Sequence, residues 1–251
     1  MSLQTLVDTI DSLDKLRWGL KTPRTLPIAL GSSGDGFEQV DSNYPYILNE
    51  PDNQRLGSCV ANATTGIIES WIHRTFGVRV QLAYEPLYLY CRRKYWGDTK
   101  DEGLLPDEAF KGARTKEFGL IPPDSKIVLI GTSTANLCAA LKRGPVVLAS
   151  SVHDGWRPSN LHKVNGGINE AMGKNHTPFT NGHATIGVGT NLHNRRKALI
   201  GKNSWGPLGQ GNSGLYAQTL DHYYRWVMAR PVLWVPGDSW KKFRGWEKHA
   251  I

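Results

Sequence analysis

The sequence predicts an α+β fold with a helical first half and a strand-rich second half. Apolar residues follow a helical spacing up to about residue 144, whereas short β-like runs separated by Gly, Asn and Pro begin at Val146. Helices followed by strands are typical of an α+β domain, or of two lobes that meet at a cleft. The 251 residues are enough for one large domain or two smaller lobes.

The helices are predicted from apolar spacing and from the residues that end them. After Cys59 the apolar residues keep one helical face as far as Phe76, and Gly77 follows as a C-cap. Three more helices are predicted, over residues 85–94, about 106–118 and about 135–142.

The strands are predicted from four short runs in the second half: VVLASSV, ATIGVGT, ALIGKNSW and GLYAQTL. We therefore divide the chain into an N-terminal extension at 1–34, a helical lobe at 35–144, a β-rich lobe at 145–235 and a basic, aromatic tail at 236–251.

The charge balance favours acidic partners. The formal net charge is +8, and a short basic cluster, Lys241–Arg244, lies in the tail. One interpretation is that the tail contacts an anionic surface, and the other is an ordinary solvated surface beside packed Trp residues. No RNA- or DNA-binding motif accompanies the basic residues, so no specific nucleic-acid partner is predicted.

The first residues, MSLQTLVDTIDSLDKL, lack the basic segment and continuous apolar core of a signal peptide, and no 18 apolar residues run together. We expect no membrane span, and a cytoplasmic or virion-associated location. Three Cys residues are too few for a disulfide framework. If Cys59 is a thiol, Cys91 and Cys138 are the remaining pair, and the sequence leaves their bonding open.

Cys59 is a candidate nucleophile because it lies at the predicted start of a helix. The N–H groups and macrodipole of a helix N-terminus favour a thiolate, and Gly57 before it permits a tight turn. The alternative is a buried structural thiol, a common fate of such residues.

A thiolate needs a proton partner, and His183 begins the Gly-flanked β-like run NGHATIGVGT. Asn203 in GKNSWG can orient the imidazole, and Trp205 can shield the His–Asn hydrogen bond from water. Each signal alone has a structural alternative, such as a core histidine or a turn between strands.

Taken in order, these residues resemble the papain-like cysteine peptidases. The resemblance covers roughly residues 37–225 and is carried by five segments: NQRLGSCVANA, LAYEPLYLYCRRKY with DEGLLPDEAF, NGHATIGVG, and KNSWGPLGQGNSGLY. It implies a two-lobe fold with a helical left lobe, a β-barrel-like right lobe and the cleft between them. Residues 35–235 then form one peptidase domain.

The resemblance also implies roles for the individual residues. Cys59 would be the nucleophile, His183 the acid and base, and Asn203 the orienting residue, with Trp205 its shield. The reaction would be hydrolysis of a peptide bond through a thioester acyl-enzyme. No cofactor and no metal is expected, because the His residues have irregular spacing and no Cys or acidic ligand cluster accompanies them.

The sequence departs from the family pattern at the predicted oxyanion donor. The family places a Gln six residues before the nucleophile, but Asn53 occupies that position and Gln54 lies five before Cys59. We favour Gln54 because its side chain is longer, and Asn53 is the alternative. The form GSCVANA resembles bacterial or phage-encoded members.

Substrate preference is hard to predict. By resemblance, the specificity pocket would use the segment around Gly103 and Leu104 and the residues Pro178, Phe179 and Thr180, for which turn packing is an equal explanation. Two other functions remain open: an amidase or acyl transferase acting on cell-wall or isopeptide bonds, and a binding module that has lost catalysis.

The N-terminal extension, residues 1–34, has its own interpretation. Residues 3–16 have helical apolar spacing and lead into GSSGDG at 31–36. In a peptidase of this kind the segment would be a short propeptide, and GSSGDG an accessible processing site. A permanent strap on the body fits the apolar face equally well.

Overall fold

The computed structural model describes residues 36–47, 54, 56–131, 133–153, 162–163, 169–170, 178–193, 195–204 and 214–251. The predicted extension, Asn53 and Trp205 lie outside the described residues. The helices are α1 (Cys59–Phe76), α2 (Tyr84–Trp96), α3 (Glu108–Ala113), α4 (Thr134–Arg143) and α5 (Leu220–Trp226). The strands are β1 (Lys126–Leu129), β2 (Val146–His153), β3 (His162–Lys163), β4 (Asn169–Glu170), β5 (Pro178–His193), β6 (Arg196–Lys202), β7 (Leu215–Thr219) and β8 (Val227–Val235).

The strands form one mixed sheet in the order β1-β8-β2-β5-β6-β7-β4-β3. Neighbouring strands are antiparallel except β4 and β7, which are parallel. The predicted α+β class is confirmed. Within the described residues the sheet is open, with β1 and β3 at its edges, and not the closed barrel that the term barrel-like suggests.

Helix α1 is the central helix and packs against strand β5. Its first turns are fully buried, and it ends at Gly77, whose φ of 70° is the left-handed conformation of a C-cap glycine. Gly66 lies where the helix meets the sheet, because a Cβ there would be 2.6 Å from Ile186 Cδ1. The helix that carries Cys59 is therefore in close contact with the strand that carries His183.

The other predicted helices are found with small changes of boundary, except the third. That helix covers only Glu108–Ala113 instead of about 106–118. After the Arg114 N–H, which still donates to the Phe110 carbonyl, the Thr115 N–H donates to the Gly112 carbonyl three residues back. The Thr115 hydroxyl also donates to that carbonyl and accepts from the Phe118 N–H, so the regular helical pattern ends at this point.

The four predicted strands correspond to β2, β5, β6 and β7, whereas β1, α5 and β8 were not predicted. Strand β1 lies in the predicted helical lobe and pairs with β8 in the sheet. Helix α5 begins at Leu220, and its N-cap is Thr219, whose side-chain oxygen accepts from the His222 N–H. The lobe boundaries, including 144/145, stay predictions.

The C-terminal residues pack on the helical part of the molecule. Trp240 and Trp246 are buried in the main core, and Ala250 forms a β-bridge with Leu82. Lys241 and Lys242 remain exposed. The aromatic side chains of the predicted tail are therefore core residues, and its lysines form a basic surface above them.

The thiols of Cys91 and Cys138 are buried in two different core clusters and form no disulfide within the described part of the chain. Burial raises the pKa of Cys91 to about 12, and the nearby Glu108 adds to the effect. Among the helices of the described residues, none is long and apolar enough to cross a membrane.

Candidate active site

Cys59 is the first residue of α1 and is fully buried at the contact between the helix and the sheet. Its Sγ accepts a hydrogen bond from the Ala184 N–H at 3.3 Å. A backbone N–H aimed at sulfur favours the thiolate, as does the N-terminus of a helix. The structure thus brings the Cys59 sulfur to the residue that follows His183.

His183 and Asn203 are carried by neighbouring antiparallel strands. Asn203 follows Lys202 at the end of β6, and the ladder partner of Lys202 is Ile186, three residues after His183 in β5. The His183 Nε2 lies 2.7 Å from the Asn203 Oδ1, and both side chains are buried. Strand pairing therefore places the imidazole beside the amide across 20 residues of sequence.

The hydrogen bonds around Asn203 determine the tautomer of neutral His183. The Ser204 N–H donates to the Asn203 Oδ1 at 2.8 Å, which identifies the atom facing the imidazole as an oxygen. An oxygen accepts, so the His183 Nε2 must carry the hydrogen. In the neutral ring Nδ1 is then a proton acceptor.

Burial lowers the pKa of His183 from 6.5 to about 4, and the hydrogen bond with Asn203 opposes this shift. The imidazole on its own is therefore neutral at pH 7. A thiolate on Cys59 would supply the opposite charge that an imidazolium needs in this buried position, so the two groups must titrate together.

Gln54 is held by three hydrogen bonds to Ser204, the residue after Asn203, and to Leu56, in the turn before Cys59. Its N–H donates to the Ser204 carbonyl at 2.9 Å, its side-chain Oε1 accepts from the Ser204 hydroxyl at 2.7 Å, and its Nε2 donates to the Leu56 carbonyl at 2.6 Å. The residue is 6% exposed. A primary amide has a second N–H, which can donate to a substrate oxygen.

The structure thus brings together Cys59, His183, Asn203 and Gln54 from the sequence-predicted set. Asn53 and Trp205 lie outside the described residues, so the choice between Asn53 and Gln54 stays a prediction. Gly103 and Leu104 are buried, and Gly103 is hydrogen-bonded to Tyr88 and Arg92 of α2. Pro178, Phe179 and Thr180 begin β5.

Sequence reasoning missed three residues that hold this site. Ser204 binds Gln54 at both ends, Asp101 accepts a hydrogen bond from the Gly57 N–H, and Ala184 donates to the Cys59 sulfur. Ala184 follows His183 in NGHATIGVG, and Ser204 follows Asn203 in KNSWG, so both are adjacent to predicted residues. Asp101 is 42 residues from Cys59, and no spacing rule connects the two.

No group of three or more His, Cys, Asp or Glu side chains is placed to bind a metal ion in the described ranges. The chemistry that these residues can supply is that of a thiol, an imidazole and amide donors.

The chain matches no protein-family model and no curated protein sequence. Solved structures do match. Xylellain, a cysteine protease from Xylella fastidiosa, is 18% identical with a TM-score of 0.62, and the match covers 86% of this chain and 96% of that one. Digestive procathepsin L 3 from the larval midgut of Tenebrio molitor is also 18% identical, with a TM-score of 0.59 and coverage of 91% and 79%.

A third similar structure is the proform of Amb a 11, a ragweed pollen allergen and cysteine protease. It is 16% identical with a TM-score of 0.57, and the match covers 92% of this chain and 75% of that one. All three are cysteine proteases, and each match spans most of both chains. At these identities the likeness concerns the fold, and the chain has the papain-like fold.

Proposed function

We propose that this protein is a cysteine peptidase that hydrolyses peptide bonds through a thioester on Cys59. The observation that carries the proposal is the hydrogen bond from the Ala184 N–H to the Cys59 sulfur, next to an imidazole whose other side is held by Asn203. Nucleophile, proton acceptor and orienting group are thus adjacent, in a fold shared with cysteine proteases.

In acylation, the Nδ1 of His183 takes the thiol proton, and the Cys59 sulfur attacks the carbonyl carbon of the substrate. The carbonyl π pair moves to the oxygen, which becomes an oxyanion. As the tetrahedral intermediate collapses, the C–N bond breaks and the imidazolium gives its proton to the leaving amine. The products of this half are a free amine and a thioester.

In deacylation, the Nδ1 of His183 takes a proton from water while the water oxygen attacks the thioester carbonyl. The C–S bond then breaks, the proton returns to sulfur, and a carboxylic acid leaves. Asn203 keeps the imidazole in one orientation through both halves by accepting from Nε2. It does so without a charge of its own.

The oxyanion would be stabilised by two kinds of N–H. The backbone N–H groups at the start of α1 point out of the helix end, and the Gln54 amide lies beside the same turn. We favour Gln54 over Asn53 because two hydrogen bonds fix its side chain between this turn and Ser204, and a third holds its backbone N–H on the Ser204 carbonyl.

Labelling by a thiol-directed epoxide tests the proposal. We expect mass spectrometry of the purified protein to find the label on Cys59 and to find no label in Cys59→Ala, and we expect the wild type, but not Cys59→Ala, to cleave a peptide library. Cys91→Ser is the matched control, since its thiol is buried elsewhere and has a raised pKa. An unlabelled Cys59 with no cleavage of the library, in protein from which residues 1–34 have been removed, contradicts the proposal.

The same library separates peptide hydrolysis from the related chemistries. An endopeptidase cleaves internal peptide bonds in several sequences, whereas an amidase or acyl transferase of cell-wall or isopeptide bonds leaves ordinary peptides intact. A binding module that has lost catalysis would bind peptides without cleaving them. Proteins and peptides are thus the partners that this proposal implies.

We also propose that residues 1–34 act as a propeptide. Two of the similar structures are described as a procathepsin and a proform, and the apolar helical spacing of residues 3–16 suits a segment that packs on the body. Fully active enzyme that retains an intact Met1, measured by mass spectrometry, would contradict the propeptide.

Contact of Lys241 and Lys242 with an anionic surface stays a prediction.

A further inference from the structure

A polar cluster outside the proposed catalytic residues joins the turn before Cys59 to a neighbouring segment. The carboxylate of Asp101 accepts from the Gly57 N–H at 2.7 Å and from the Tyr88 hydroxyl at 2.8 Å, both through Oδ1. Gly57 lies two residues before Cys59. One carboxylate thus contacts the turn that enters α1 and a side chain of α2.

The segment that carries Asp101 is itself fixed to α2. The Gly103 N–H donates to the Tyr88 hydroxyl, and the Gly103 carbonyl accepts from Arg92, both at 3.2 Å. The Arg92 side chain is fully buried and pairs with Asp98. The carboxylate therefore extends from a rigid support, which is what a positioning group requires.

The peptide group between Leu56 and Gly57 is held from both sides. Its N–H donates to Asp101, and its carbonyl, on Leu56, accepts from the Gln54 Nε2 at 2.6 Å. The N–H and C=O of a trans peptide are rigidly coplanar and point in opposite directions. The orientation that Asp101 imposes on the N–H is therefore transmitted to the carbonyl that holds Gln54.

We propose that Asp101 is a positioning residue of the oxyanion site, which acts by fixing the Leu56–Gly57 peptide group and through it the side chain of Gln54. The inference rests on the proposed function. A charged acceptor also polarises the peptide group, which strengthens the bond that its carbonyl accepts. Asp101 touches neither the nucleophile nor the substrate in this role.

The role predicts which kinetic constant changes. An oxyanion donor acts in the transition state, so misplacing it lowers kcat and leaves KM nearly unchanged. For Asp101→Ala we expect kcat to fall about 10- to 100-fold, the usual range for a lost charge-assisted bond that positions a donor. Asp101→Asn keeps an acceptor oxygen and should lose only about 3-fold.

A double-mutant cycle tests whether Asp101 acts through Gln54. If it does, Asp101→Ala in a Gln54→Ala background lowers kcat by less than about 3-fold, because the donor is already gone. Independent effects would multiply instead, and that result overturns the proposal. Rates are normalised to the amount of Cys59 that reacts with the epoxide, so unfolded protein is not counted. Asp101→Ser replaces Asp101→Ala if the latter does not fold.

Glu102→Ala is the matched control, because it removes the next carboxylate along the segment, 3.7 Å from Arg92. We expect its kcat to stay within about 2-fold of wild type, as for ordinary surface substitutions. Alkylation of Cys59 by iodoacetamide, which uses no oxyanion site, should proceed at the wild-type rate in Asp101→Ala.

The outcomes separate this inference from the proposed function. A wild-type protein without residues 1–34 that neither cleaves peptides nor reacts at Cys59 contradicts the proposed function, and the positioning role with it. An active wild type whose kcat is unchanged in Asp101→Ala contradicts the positioning role alone. Slower alkylation of Cys59 in Asp101→Ala would show a role through the nucleophile and would also overturn the inference.

Discussion

The two halves of the candidate site are positioned by different kinds of interaction. On the sheet side, His183 and Asn203 lie on or next to paired strands, and many backbone hydrogen bonds fix their relative position. On the helix side, Cys59 begins α1, but the turn before it is held by side chains: Gln54 binds the carbonyl of the Leu56–Gly57 peptide group, and Asp101 binds its N–H.

The two sides differ in how many hydrogen bonds fix their position. A ladder loses little when one side chain is removed, because its remaining backbone bonds maintain the register. A turn held by two or three side-chain bonds loses its orientation when one of them is removed. We therefore expect the sheet side to tolerate substitutions around the reacting groups, and the helix side to be sensitive to residues that never touch the substrate.

The largest effects should come from the reacting groups, which lie on both sides and act as a unit. We expect kcat to fall at least about 10⁴-fold in Cys59→Ala and in His183→Ala, because neither group has a function without the other. The double variant should be no worse than either single one. Initial rates on a cleaved peptide provide the measurement, with Cys91→Ser as the control.

A double variant much slower than both single variants would contradict this dependence. It would mean that Cys59 on the helix side and His183 on the sheet side contribute to kcat independently of each other.

The second prediction concerns the turn. Gln54→Ala should lower kcat about 100- to 1000-fold with little change in KM, as expected for a lost oxyanion donor. Asn53→Ala is the comparison variant, since that residue occupies the position at which the family has its Gln. Steady-state kinetics distinguish the two, and a large kcat loss in Asn53→Ala with none in Gln54→Ala would assign the donor to Asn53.

The sheet side could be predicted from sequence because its signals are local. The runs beginning near Val146 and Ala184 have β-like composition. GHA identifies His183, which lies within β5, and KNSW identifies Asn203, which directly follows β6. Strand β8 was missed, although VMARPVLWV is rich in β-formers: Pro231 lies inside it, and Pro within a run argues against a strand. Pro231 has no N–H to donate, but its carbonyl accepts a hydrogen bond from the Ile130 N–H.

The helix side was predictable only in part. The start of α1 and the C-cap Gly77 follow from local rules, and both are found. Asp101 could not be predicted, because its bond to Gly57 joins residues 44 apart whose types are common in any loop. Side-chain to backbone bonds of this kind have no sequence period, whereas strand pairs and helix faces do.

The third prediction uses the buried imidazole. His183 has a pKa of about 4 in the folded protein and 6.5 otherwise, so between these values the unfolded chain binds a proton that the folded one does not. Its contribution to stability is complete above pH 6.5 and is lost as the pH falls towards 4. The loss is about 3 kcal/mol in the free energy of unfolding.

The measurement is urea unfolding between pH 7 and 4, in a Cys59→Ala background without a thiolate. Cys59→Ala/His183→Gln is the control, and it subtracts carboxylates and His249, whose pKa burial also lowers. As the pH falls, the free energy of unfolding of Cys59→Ala should decrease relative to that of the control by about 3 kcal/mol. Parallel curves would contradict the burial of a neutral imidazole, whereas a weaker pH dependence with Cys59 restored would measure the thiolate–imidazolium pair.

The smallest predicted effect tests the contact that joins the two sides. Gly66 of α1 faces Ile186 of β5, and an added Cβ would lie 2.6 Å from the end of the Ile186 side chain. We expect Gly66→Ala to destabilise the fold by about 1 kcal/mol, because the cost of overpacking exceeds the gain in helix propensity. Ile186→Val removes the crowded atom, so the double variant should recover about 0.5 kcal/mol or more in urea unfolding relative to additivity. Strict additivity would mean that the helix moves away from the sheet without strain, and the two sides of the site would then be less tightly joined than their packing indicates.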